Sequence, residues 1–168
     1  MKFTHFKSIA LIFVSSWFSM TCLIDFLAVP LLFRNVPDAE IAGKIGMKIF
    51  STFNSLELGF GMASLILVYL MTKGRIKHRG TIITLFALAL STLISVAYII
   101  KITPAVGEYA NQMHQHVEES KEYKSAEEIH QFYHHLYVKL DAAKLILLLI
   151  VLVGLVSRED PELLAGHS

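Results

Sequence analysis

The chain has 168 residues, 54% hydrophobic and 17% charged, with a net charge of +1 and a mean hydropathy of +0.55. A water-soluble domain of this length rarely reaches that hydropathy, and so small a net charge gives no argument for nucleic acid as a partner. A single cysteine, Cys22, excludes an intrachain disulfide.

The length accommodates one domain, residues 1–168, with about four spans of ~20 residues each. The first apolar stretch, Ser8–Phe33, follows Lys2 and Lys7 much as a signal-peptide core follows its basic leader. It is long enough to span, and Ser19-Met20-Thr21 makes a poor lipoprotein cleavage box before Cys22, so an uncleaved first span is expected. The remaining spans are predicted at roughly Ile49–Met71, Thr81–Ile100 and Leu136–Val156. The predicted fold class is therefore all-α, an integral membrane four-helix bundle.

Orientation follows from the link between spans two and three, Lys73 to Gly80, which holds Lys73, Arg75, Lys77 and Arg79 and no acid. The positive-inside rule places this link and both termini in the cytoplasm, N-in/C-in, in a plasma or inner membrane. Residues 34–48 and 104–135 then face outward, and the second connection carries five of the eight histidines and a row of glutamates. Ser125 ahead of Glu127 and Glu128 predicts an N-cap with acids in the first turn, starting the fourth helix near Ala126.

With this orientation Asp25, Glu57, Lys101, His134, Lys139, Asp141 and Lys144 all fall in the outer half of the membrane. A charge at the centre of a span costs about 2.5–3.5 kcal/mol on insertion scales, so such residues persist by facing a bundle interior or a water-filled cavity. On the fourth helix, His130, His134, Tyr137, Asp141 and Lys144 recur in steps of four and three and share one face. Asn54, Glu57, Gly61 and Ser64 do so on the second, Trp17, Thr21 and Asp25 on the first, and Ser91, Ser95 and Tyr98 on the third. Gly61 and Ser64 allow close helix approach, and the expectation is a left-handed bundle with a polar outer core.

That core has a structural reading and a functional one. Structurally, Asp25, Glu57, Lys101, Asp141 and Lys144 form a buried network of matched charges, while Lys139 snorkels to the headgroups. Functionally, His130 and His134 at i and i+4, helped by Asp141 or Glu57, suit a transition metal. His134 alone suits an axial haem ligand, and the polar core as a whole suits passage of a proton or small solute. His114-Gln115-His116 reads as part of a solvated, charged face. There is no nucleophile–base pair and no Gly-rich phosphate loop, so the sequence does not decide whether the chain is an enzyme. The expected partners are the lipid bilayer, then a metal ion or small solute, or a membrane protein packed on the polar faces.

Trp17-Phe18, Pro30-Leu31-Leu32-Phe33-Arg34, Ala42-Gly43, Lys48-Ile49-Phe50 and Phe132-Tyr133-His134 followed by Asp141 together resemble the transmembrane protein 205-like family, four-helix membrane proteins carrying a domain of unknown function. His134 matches that family's fourth-helix His, Asp141 stands in the usual Asn place, and Tyr137 stands where Ser is common. The resemblance implies a more charged core than the family pattern has. It also implies a distant likeness to copper-resistance-type proteins and to haem-binding, protoporphyrinogen-oxidase-type four-helix proteins.

Overall fold

The computed structural model describes residues 2–72, 79–118 and 120–158. Most of the basic link that set the predicted orientation, residues 73–78, lies outside the described residues. Among those described, four long helices account for nearly the whole chain. The first is continuous through Lys2–Leu23, a π-helical turn at Ile24–Ala28, and Val29–Asn35. The second runs Ala39–Thr72. The third joins Arg79–Ala97, a second π-helical turn at Tyr98–Ile102, and Thr103–Gln115, and the fourth runs Lys121–Val156.

Both π turns have the same cause. A proline inside a helix lacks an N–H, and its ring clashes with the carbonyl four residues earlier. For Pro30 that carbonyl belongs to Phe26, and for Pro104 to Ile100. Each lies within a π turn, where the ladder opens to i→i+5 bonds, with Val29 N–H donating to Ile24 O and Thr103 N–H to Tyr98 O. The helices therefore pass through both prolines. The expected stop at Ile100 is corrected, since the third helix continues into the His/Glu-rich region as far as Gln115.

The fourth helix also begins earlier than the Ser125 signal indicated. Ser120 is its N-cap, accepting from Tyr123 N–H at 3.0 Å, and Ser125 is an exposed residue one turn inside. Asp38 caps the second helix in the same way, its Oδ1 accepting from Glu40 and Ile41 at 2.9 and 3.0 Å.

Helices adjacent in sequence pack side by side, and the fourth closes the ring against the first. At the end carrying the termini, Lys7 Nζ donates to the carbonyls of Val156 (3.2 Å) and Arg158, and Arg158 in turn donates to Gly80 O and Thr84 Oγ1 at 3.2 Å each. These bonds supply the carbonyls that the fourth helix leaves open at its C-terminus and tie three helices together. The adjoining half of the core is apolar, built from Ala10, Val14, Val68, Leu88, Leu148, Val151 and Leu155. The half toward the His-rich end is polar, described below.

Outside, the pattern inverts. Ile12 (63% exposed), Phe86 (67%), Ile100 (72%) and Ile146 (62%) point away from the bundle, while Glu57 and Lys144 are fully enclosed. Apolar groups outside and charges inside are what a hydrocarbon solvent selects. The first three helices are each long and apolar enough to cross a membrane. In the fourth, Lys139, Asp141 and Lys144 interrupt the apolar run. The chain is a multi-pass membrane protein, all-helical in its described residues.

Candidate functional site

The polar half of the core is organised around Glu57. Its Oε1 accepts from Trp17 Nε1–H at 2.9 Å and from Thr21 Oγ1–H at 3.1 Å, both on the first helix. Lys144 Nζ of the fourth helix lies 2.6 Å from the same oxygen. Lys144 also pairs with Asp141 Oδ1, one turn earlier on its own helix. From the third helix, the Tyr98 hydroxyl donates to Tyr137 O (3.1 Å) and reaches Asp141 Oδ1 (3.4 Å), while its ring lies 4.9 Å from the Lys144 ammonium. All four helices thus converge on one ion-paired layer. Glu57 and Lys144 are 0% exposed and Asp141 6%. Charges so enclosed survive only when paired and hydrogen-bonded, since each costs several kcal/mol to desolvate.

A second tier lies next to the first. Asn54 Nδ2 donates to Thr103 Oγ1 at 2.8 Å, and the Tyr137 hydroxyl donates to Asn54 Oδ1 at 3.3 Å. Tyr137 stacks on Tyr98 at 4.2 Å between centroids, which links the tiers. Thr103 is the one member that the helical spacing did not expose. It follows Tyr98 by five residues, which a regular helix would place about 140° away. The π turn between them adds backbone and brings both residues into the core.

Asp25 sits in the π turn of the first helix, half-buried. Four buried side-chain atoms have no hydrogen-bond partner among the described residues: Asp25 Oδ2, Glu57 Oε2, Ser64 Oγ and Lys144 Nζ, the last held by its ion pairs.

Two expectations meet a different geometry. Lys101 does not join the buried network. It is exposed on the outer side of the second π turn, its ammonium 5.9 Å from the Tyr133 ring. His130 does face inward, its Nδ1 3.1 Å from Val106 O on the third helix. His134 is exposed and lies off the cluster, although its ring is parallel to that of His130 at 6.2 Å. At this level the third helix covers the fourth on the side of Tyr133, which stacks on Tyr109, and His134 is on the uncovered edge. The desolvation its ring does suffer, followed by the neighbouring His130 and His135, lowers its pKa, so it is neutral at pH 7.

Among the described residues, no three His, Cys, Asp or Glu side chains are arranged to hold a metal ion. Glu57 and Asp141 are brought together through Lys144, and His130 and His134 stand apart from them. His114 lies 4.0 Å from Glu40 on the exposed rim.

No curated protein and no solved structure matches the chain. A family model described as Domain of unknown function (DUF4149) matches residues 12–114, which carry Trp17, Thr21, Asp25, Asn54, Glu57, Tyr98 and Thr103. That match spans more than half of the 168 residues, and the chain belongs to this family.

Proposed function

We propose that the protein binds a small cationic solute or metal ion in its polar core and helps move it across or within the membrane. One observation carries this reading. Glu57 and Asp141 both pair with Lys144, so the layer holds more acid than one ammonium neutralises, and the second oxygen of the fully buried Glu57 has no hydrogen-bond partner among the described residues. A network built for stability alone would match its charges and satisfy its acceptors.

The proposed orientation is N-in/C-in, which puts this core in the outer half of the bilayer and leaves Glu118, an exposed residue between the third and fourth helices, outside. In a Cys22→Ser background, a cysteine at position 118 should react with an impermeant thiol reagent added to intact cells. Reaction only after the cytoplasmic face is opened would reverse the orientation.

Binding is tested by thermal unfolding of the detergent-purified chain against a panel of monovalent, divalent and small organic cations. A ligand at 100 times its Kd should stabilise by about 2.7 kcal/mol. Glu57→Gln and Asp141→Asn should each abolish the shift. A panel with no hit would overturn the reading. A transition-metal shift lost instead in His130→Ala and His134→Ala would move the site to the histidine pair on the rim.

A further inference from the structure

The first helix is held differently in its two halves. Through Leu23 it packs on both the second and the fourth helix. Beyond that its backbone leaves the fourth, and Val29–Asn35 lies against the second alone. The lean has a cause in Gly46, since Leu32 and Phe33 come within 3.6 and 3.7 Å of where its Cβ would be. No residue of the Ile24–Ala28 π turn or of Val29–Asn35 is buried, whereas the π turn of the third helix buries Tyr98 and Ile102. On the fourth helix the same divergence shows as a change along one flank. Leu152 and Leu145 are half-buried, but Val138, seven residues nearer the His-rich end than Leu145, is exposed.

Asp25 stands where the two helices part. It follows Lys7 by eighteen residues, five turns at 3.6 each, and so shares the flank from which Lys7 bonds to the end of the fourth helix. It makes no ion pair among the described residues, where Lys144 is the only buried cation and is held by Glu57 and Asp141. Around it Leu23, Phe26, Leu27 and Val138 are exposed and apolar, so the gap opens on hydrocarbon rather than on water. An acid at such a place is costly without a cation to meet it.

Resting on the reading that this core binds a cation, we propose that the cation is an amphipathic amine, which enters sideways from the bilayer between the first and fourth helices. Its apolar body lies along Phe26, Leu27 and Val138, and its ammonium meets the Asp25 carboxylate before the layer of Glu57 and Asp141. Asp25 Oδ2 is enclosed in this structure. Entry therefore requires the segment 24–35 to swing out on its π turn, which its packing on the second helix alone allows. A small, fully hydrated cation gains nothing from a gap that faces hydrocarbon.

Trp17, the single tryptophan, donates to Glu57 and so reports on the site. Its fluorescence in the full chain in lipid nanodiscs, titrated with dodecylammonium, methylammonium or dodecanol, tests the proposal. Dodecylammonium should give a saturable change and the other two none. Asp25→Asn should weaken that response by about tenfold or more. In a Cys22→Ser background, joining Val29→Cys to Val138→Cys with a short bifunctional maleimide should abolish it, while the same chain responds before cross-linking. An equal response to dodecanol or methylammonium, one that survives cross-linking, or one unaltered in Asp25→Asn would overturn the proposal. If Asp25→Asn fails to fold, the three probes and the cross-link still decide the outcome. Silence toward dodecylammonium, with another cation giving a thermal shift that Glu57→Gln removes, would overturn the amine and leave the broader reading standing.

Discussion

Lys144→Met is expected to be the most damaging single substitution in the chain, costing about 3–5 kcal/mol. Methionine fills much of the same volume, so the loss comes from charge rather than from a cavity. It removes the ammonium that pairs Glu57 and Asp141, leaving those buried side chains with only Trp17, Thr21 and Tyr98 as donors. Asp141→Asn should cost less, because Lys144 then keeps Glu57 at 2.6 Å. Adding Glu57→Gln to Lys144→Met should restore a good part of the stability. An amide oxygen can still accept from Trp17 and Thr21, and one orphaned charge is gone. Denaturant titration of purified protein in mixed micelles measures all three. If the double variant loses as much as the sum of its single variants, the two side chains are not coupled and the ion pair is not what holds this layer.

Gly61→Ala should also destabilise, by less and for a steric reason. A Cβ at Gly61 would lie 2.5 Å from Thr92 Oγ1, 3.0 Å from its Cγ2 and 3.1 Å from its Cβ. Thr92 cannot easily turn away, since it is buried and its hydroxyl donates to Leu88 O at 2.8 Å. Overpacking costs about 1–3 kcal/mol, whereas replacing Gly by Ala in a helix interior returns about 1 kcal/mol. A net destabilisation of up to about 2 kcal/mol follows, relieved by Thr92→Ala in the same chain. Gly59 provides the control, because nothing lies within 4 Å of a Cβ built there. Gly59→Ala should be neutral or mildly stabilising, and a Gly61→Ala variant that behaved the same way would mean the second and third helices are not in close contact at this level.

Much of this core was readable as periodicity. Asn54, Glu57, Gly61 and Ser64 follow helical spacing and are all buried, and Tyr137, Asp141 and Lys144 do likewise. The spacing argument fails where a face stops being covered. His134 shares the stripe of Asp141 in sequence, but the third helix leans on the other side of the fourth helix there, and no single-helix pattern records which neighbour reaches how far. Lys101 fails for a related reason, since it is on the exposed side of its π turn while Lys144 is fully enclosed. The helix limits were misjudged where a local signal competed with a better one nearby, Ser125 against Ser120. The family match ends at residue 114, before the part of the chain that supplies Asp141 and Lys144.

The two π turns also bear on how this chain is compared with its relatives. Each inserts the equivalent of one residue into the helical repeat, so the segments before and after it run out of phase by about 100°. A helical wheel drawn through Pro30 or Pro104 as one frame will assign outward residues to the core, and an alignment without a gap will carry that error between sequences. A relative lacking the proline would be expected to lack one residue upstream as well, the two changes compensating as a pair. Such coupled single-residue gaps, rather than the identity of any one side chain, would mark which family members keep the geometry that brings Asp25 and Tyr98 to the same layer.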